Sequence, residues 1–144
     1  MKIKPQRHQI FGFTLIELMV SIAIIGLLMT AGMVAFSTAQ KNARDARRKA
    51  DIQALGNAME QYYLTAGLTY PTTSASLTSA YFAQGLPKDP KSKADYEYSL
   101  TTTAYCVCGT LEGSKGNALN APSAGVCNWN NTVSATRFCA SSQQ

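Results

Sequence analysis

The stretch Phe11-Gly12-Phe13-Thr14-Leu15-Ile16-Glu17-Leu18-Met19-Val20-Ser21 decides how the rest of the chain is read. A glycine closes a short basic leader, and an apolar run opens directly behind it. Phe13 to Phe36 reads FTLIELMVSIAIIGLLMTAGMVAF, 24 residues in which Glu17 is the one ionisable group. As a helix this run is about 36 Å long, against a hydrocarbon core of about 30 Å. The core helix of a soluble protein would carry a polar face, and this run has almost none. It therefore reads as a membrane-spanning helix over 13–36. A secretory signal would be shorter and end in a small-x-small cleavage site. Here the break precedes the run, at Gly12–Phe13, where the leader MKIKPQRHQIFG ends.

The totals narrow the rest. A chain of 144 residues has room for one domain with one core. Its formal charge is +5, and Lys2, Lys4 and Arg7 supply much of it before the apolar run begins. Bulk charge thus gives little support to nucleic-acid binding. Cys106, Cys108, Cys127 and Cys139 all fall near the C-terminus, an even number that points to disulfides in an oxidising compartment. Basic residues flank both ends of the apolar run, so charge alone does not orient it; the cysteine-bearing side is the one expected to be exported.

The helical pattern continues past the apolar run. Ile52, Leu55, Met59, Tyr62 and Ala66 recur at spacings of three and four, and no proline interrupts 13–66. That makes a helix of about 81 Å, whose outer half, 37–66, has one apolar face to lay against a domain. Two alanine rows, Ala31-Ala35-Ala39-Ala43 and Ala46-Ala50-Ala54-Ala58, offer a close-packing seam or simply good helix formers. Lys41, Arg44, Arg47, Arg48 and Lys49, with Asp45 among them, form a basic patch. Its readings are a solvated helix face, a lipid-headgroup contact, a contact between subunits or a DNA contact, the solvated face being the commonest kind.

From Gly67 the composition shifts to Thr, Ser, Pro and Gly, which reads as a connecting loop to residue 94. Tyr96, Tyr98 and Leu100 alternate with Glu97 and Ser99. Tyr105, Val107, Gly109 and Leu111 alternate with Cys106, Cys108 and Thr110. Residues 112–117 read as a turn, and Thr136-Arg137-Phe138-Cys139 as a last strand. The fold class is α+β: one long N-terminal helix on a small antiparallel sheet, with 67–144 as the exported region. Cys106 and Cys108 share one face of a strand, so each is expected to bond one of Cys127 and Cys139, which leaves two connectivities. The spacings fit common zinc patterns badly.

A basic leader, then Gly12-Phe13-Thr14-Leu15-Ile16-Glu17-Leu18, then an apolar helix, resembles the prepilin signal of type IV pilins and type II secretion pseudopilins. The resemblance is dense over 12–26, general to about residue 66, and a matter of layout beyond. It implies a pilin-like fold and a leader, 1–12, removed after Gly12 by a membrane-embedded prepilin peptidase. It also implies methylation of the new N-terminus at Phe13. The new α-amine, with a reference pKa of roughly 7.7–8.0, would then face a carboxylate four residues on. A charged side chain at a bilayer centre costs roughly 2.5–3.5 kcal/mol, less near the interface. Glu17 can therefore pair within its own helix or, in a bundle, with the Phe13 amine of a neighbour, which would set the axial register between subunits. Many pilins carry a proline in mid-helix; here Leu28-Met29-Thr30-Ala31-Gly32 stands instead.

The implied role is that of a structural subunit of a type IV pilus-like filament, with a type II secretion pseudopilin as the alternative. The implied partners are copies of itself, the peptidase, an inner-membrane assembly platform and lipid before assembly; DNA or a surface ligand has no support. The implied location is the inner membrane, then an extracellular or periplasmic filament. A monomeric membrane-anchored binding module would explain the helix but not Glu17 or the Gly12–Phe13 junction. Leu86-Pro87-Lys88-Asp89-Pro90 with Asp95-Tyr96-Glu97 resembles the calcium loop of major pseudopilins, making Asp89, Asp95 and Glu97 its candidate ligands. The family's tryptophan and glycine are replaced there by Lys91-Ser92. No cofactor and no enzymatic activity are expected: His8, the one histidine, lies in the leader, and no nucleophile has a base beside it.

Overall fold

The computed structural model describes residues 12–78, 80–130 and 134–142; the leader, apart from Gly12, lies outside them. Helix α1 runs Leu15–Thr65. Contacts divide the chain into two units, one ending at Ser37 and the other beginning at Thr38. In the first, the described side chains are all exposed, from Phe13 at 87% to Phe36 at 65%. The helix holds an 18-residue window of mean hydropathy 2.3, none of it buried. A segment so apolar and so uncovered is one whose environment is not water.

In the second unit α1 becomes one-sided. Ile52, Leu55 and Met59 are fully buried, at the spacing of one helical face, while Gln53, Ala54 and Asn57 are exposed. Burying three such side chains contributes roughly 1.5–3 kcal/mol each. The helix stops where Gly67 turns left-handed at φ 73°, letting the Leu68 N–H reach back to the Tyr63 carbonyl at 3.0 Å.

Three antiparallel strands follow, β1 (Glu97–Leu100), β2 (Tyr105–Thr110) and β3 (Arg137–Ser141), in the order β1-β2-β3. Among the described residues the connecting loop carries a 3₁₀ turn, Ser74–Leu77, and an isolated bridge from Lys88 to Asp95. The central strand is covered on both sides. Tyr105 and Val107 face the core that holds Ile52, Leu55 and Met59. Cys106 and Cys108 face the opposite way, packed with Ala118, Cys127 and Cys139. The segment between β2 and β3 therefore forms a second layer over the sheet, which strand alternation alone does not reveal.

Cys106 is bonded to Cys127 and Cys108 to Cys139, across separations of 21 and 31 residues. Of the two connectivities the pattern leaves open, the molecule adopts this one. Loops of that length contribute about 3–4 kcal/mol each in the chain-entropy account.

Two glycines permit the close approach of these layers. A Cβ on Gly109 would lie 2.8 Å from Ile52 Cδ1 and 3.0 Å from the Tyr96 ring. One on Gly116 would overlap the Arg137 backbone, whose register with β2 it would disturb. Gly109→Ala is therefore expected to destabilise the folded unit by about 1–3 kcal/mol through overpacking. Gly113→Ala, whose added methyl meets nothing closer than 3.9 Å, should lie within about 0.5 kcal/mol of the parent. Thermal unfolding of both variants checks the pair.

Candidate functional site

The residues singled out in the sequence fall at three places. The first is the start of α1. Thr14 precedes the helix, and its Oγ1 accepts from the Glu17 backbone N–H at 3.3 Å. Thr14 is thus a side-chain cap, and Glu17 lies in the first turn, at the positive end of the helix dipole. The Thr-Leu-Ile-Glu order has a local job independent of any partner, a start signal the apolar run concealed. Gly12, Phe13 and Glu17 are all exposed. The junction is open and the carboxylate faces outward, with no cation bonded to it among the described residues.

The second place is the basic patch: Lys41 and Arg47 are exposed, as a solvated face requires, but Arg44 and Arg48 are not. Arg48 is 3% exposed and sits among three carboxylates. Its Nη1 reaches Asp45 at 2.8 Å and Glu112 at 2.8 Å, and its Nε and Nη2 hold Asp89. Arg44 grips Glu112 with two bonds of 2.8 Å, and Lys91 adds a third cation at 3.0 Å. Three cations thus meet three anions, and the cluster has no net charge to offer lipid or DNA.

Asp45, 1% exposed, also accepts the backbone N–H groups of Glu112, Gly113 and Ser114 at 2.8–2.9 Å and the Ser114 hydroxyl at 3.0 Å. One side chain on α1 thereby fixes the turn that leaves β2. Of the remaining patch, Arg47 pairs with Asp51, and Lys49 lies 5.7 Å over the Phe138 ring. The alanine rows divide likewise: Ala46, Ala50 and Ala54 are exposed and Ala58 is buried.

Electrostatics follow from this geometry. Burial acts to raise the Asp45 carboxyl, but the three N–H donors and the Ser114 hydroxyl outweigh it and hold the group at about 2. Arg48, then the Ser92 and Lys91 N–H groups, holds Asp89 well below the usual carboxylate range despite its burial. Arg44 and Lys91 do the same for Glu112.

The third place is the loop after Pro87. Asp89, Asp95 and Glu97 line one hollow of about 210 Å³ with Thr110. Each carboxylate is engaged by a cation: Asp89 by Arg48, Asp95 by Lys88 at 3.3 Å, Glu97 by Arg137 at 3.1 Å. In this arrangement each carboxylate is paired, and the ion pairs anchor the turn after Pro87. The four sulfurs lie within 4.8 Å of one another but are spent in disulfides, which cannot ligate as thiolates do.

Comparison with known proteins agrees with the N-terminal geometry. Residues 7–33 match the family described as the prokaryotic N-terminal methylation motif. The chain is similar to type II secretion system core protein G of Escherichia coli, 40% identical over 76 residues, which covers 53% of this chain and 52% of that protein. The protein of the same name from Vibrio cholerae is 32% identical over 110 residues, covering 66% of this chain and 73% of the relative. The one from Aeromonas hydrophila is 32% identical over 93 residues, covering 65% and 64%. The chain spans roughly half to two thirds of the length of the first curated relatives it matches. No solved structure matches. The chain belongs to the type IV pilin and pseudopilin family. The relatives named above are core proteins G of type II secretion systems, which agrees with the alternative of the two roles read from the sequence.

The three carboxylates of the clamp are depressed, so the stability they confer is present above their unfolded values, near 4, and is lost as pH falls through their folded values. Melting temperature is therefore expected to fall steadily between about pH 4 and pH 2. Asp45→Ala, which removes one of the three carboxylates around Arg48 and leaves three backbone N–H donors unmet, should cost about 3–5 kcal/mol at pH 7 and flatten that acid limb. Melts across the pH range check both statements.

Proposed function

We propose that this chain is a pseudopilin, a structural subunit of a filament of the type II secretion kind. The observation that carries this reading is its 32% identity with a type II secretion core protein G of which it covers 73%. In this reading residues 1–12 are a leader, 13–36 hold the precursor in the inner membrane, and residue 37 onward is exported. A prepilin peptidase cuts after Gly12 and Phe13 is methylated. The uncovered apolar segment then leaves lipid for a bundle of identical helices, driven by an assembly platform in the membrane. Glu17, exposed in the first turn, pairs with the amine of a neighbouring Phe13 and selects one axial register. Protein and lipid are its partners, and its work is mechanical rather than catalytic.

The second reading, a surface pilus, is favoured by the doubly disulfide-bonded layer over the sheet. Deleting the gene separates the two: loss of an exported enzyme's secretion marks the pseudopilin, and loss of surface filaments marks the pilin.

Intact mass of membrane-extracted protein is expected to show a chain beginning at N-methylated Phe13; a chain beginning at Met1 would remove the processing step. Glu17→Ala is expected to leave membrane insertion unchanged and to lower filament incorporation at least tenfold, read by shearing and immunoblot. Incorporation at the parent level would sink the register role.

A further inference from the structure

A groove of about 310 Å³ opens between α1 and the end of β3, within the second unit. Trp129 forms one wall. It is the chain's one tryptophan and is 51% exposed. Gln53, Asn57 and Glu60 present their side chains along one face of α1, and Ser141 and Ser142 close the far side. The floor is tight: the Tyr105 hydroxyl donates to the Gly56 carbonyl at 3.2 Å, and a Cβ on Gly56 would lie 3.3 Å from Ala140 Cβ.

The chemistry of this lining is selective. Gln53 and Asn57 are exposed, and their amides make no hydrogen bond among the described residues. Glu60 spends one edge on the Tyr70 hydroxyl, at 3.1–3.2 Å, and keeps further acceptor capacity. No lysine or arginine lines the groove, so phosphates, nucleic acids and acidic peptides find no counter-charge. Gln53, Asn57, Glu60 and the two serines are polar, so a wholly apolar ligand would strand their donors and acceptors, while Trp129 and Ala140 offer an apolar side. What remains is a ligand with one apolar face and many neutral hydroxyls. A pyranose ring fits that description: its C–H face stacks on an indole, and its vicinal hydroxyls take two bonds each from amide and carboxylate groups. The volume lies at the lower end of small-molecule sites, roughly 300–1,000 Å³, a size for a short saccharide.

We propose that the groove between Trp129 and the Gln53-Asn57-Glu60 face of α1 is a binding site for neutral carbohydrate. It involves no residue of the N-terminal segment and stands whether or not the chain polymerises as a pseudopilin.

The lone tryptophan makes the test direct: it lines this groove, and the double variant below tells binding here from binding in the neighbouring hollow that Trp129 shares with Ala121 and Val126. Full-length protein in a non-glycosidic detergent is titrated with maltohexaose, cellohexaose and chitotetraose to about 20 mM, well beyond a Kd of about 1 mM. A saturable emission shift with at least one probe is expected, and in Gln53→Ala/Asn57→Ala a midpoint at least tenfold higher. Both side chains are exposed and unbonded, so this variant keeps its fold. Trp129→Ala, read by calorimetry, should abolish the binding. Silence with all three probes, or titrations that the double variant leaves unchanged, would overturn the proposal.

Discussion

Arg48 holds the folded unit together at the point where three separate stretches of chain meet. It projects from α1 into a space with almost no water, where a lone guanidinium would cost several kcal/mol to bury. Asp45 answers it from one turn back along the helix, Asp89 from the connecting loop and Glu112 from the turn after β2. Because the charge must be met, all three stretches are drawn to one place. Asp45 then extends the grip by taking three backbone N–H groups that the turn could not satisfy alone. The apolar core of Ile52, Leu55 and Met59 supplies most of the favourable energy, but it is tolerant of sliding. The ion cluster fixes how far along the helix the sheet docks.

The two units answer to different solvents. From Phe13 to Phe36 nearly every side chain is apolar and the described ones are exposed; after Thr38 the same helix shows polar residues on one side and a packed face on the other. The change of pattern within α1 is what a subunit needs if one part is to exchange lipid for like helices while the other stays in water. Glu17 fits this division. Its place in the first turn, with Thr14 as cap, lets the dipole stabilise a charge that the surrounding apolar residues would otherwise oppose.

Much of this was legible in the sequence. The spacing of Ile52, Leu55 and Met59 gave the buried face of α1, and the alternation around Tyr98 and Val107 gave the strands, because both are local periodicities. The role of the basic patch was not legible. Arg48 and Asp89 are 41 residues apart, and Arg44 and Glu112 are 68 apart, so a cluster that reads as a charged surface is neutralised by partners that only the fold brings near. The layer over the sheet was hidden for a similar reason: Cys106 and Cys108 lie on the outward face of β2, and Ala118 and Cys127 from the next loop, with Cys139 of β3, bury them. Asp89, Asp95 and Glu97 do converge on one hollow, but Arg48, Lys88 and Arg137 reach it too. Trp129 stands in a segment without periodicity, where sequence offers no hint of what it faces.

The placement of the disulfides has a mechanical consequence. Cys108 and Cys139 are directly opposed in the β2–β3 register, so those strands are joined by a covalent rung as well as by hydrogen bonds. Between β1 and β2 there are hydrogen bonds alone, with β1 only four residues long. When the domain is pulled along its strands, β3 and β2 move as one body and slip is confined to the β1 edge. Force entering at the C-terminal strand is thus passed through the central strand toward the helix, and the segment that yields first is β1 with the loop behind it.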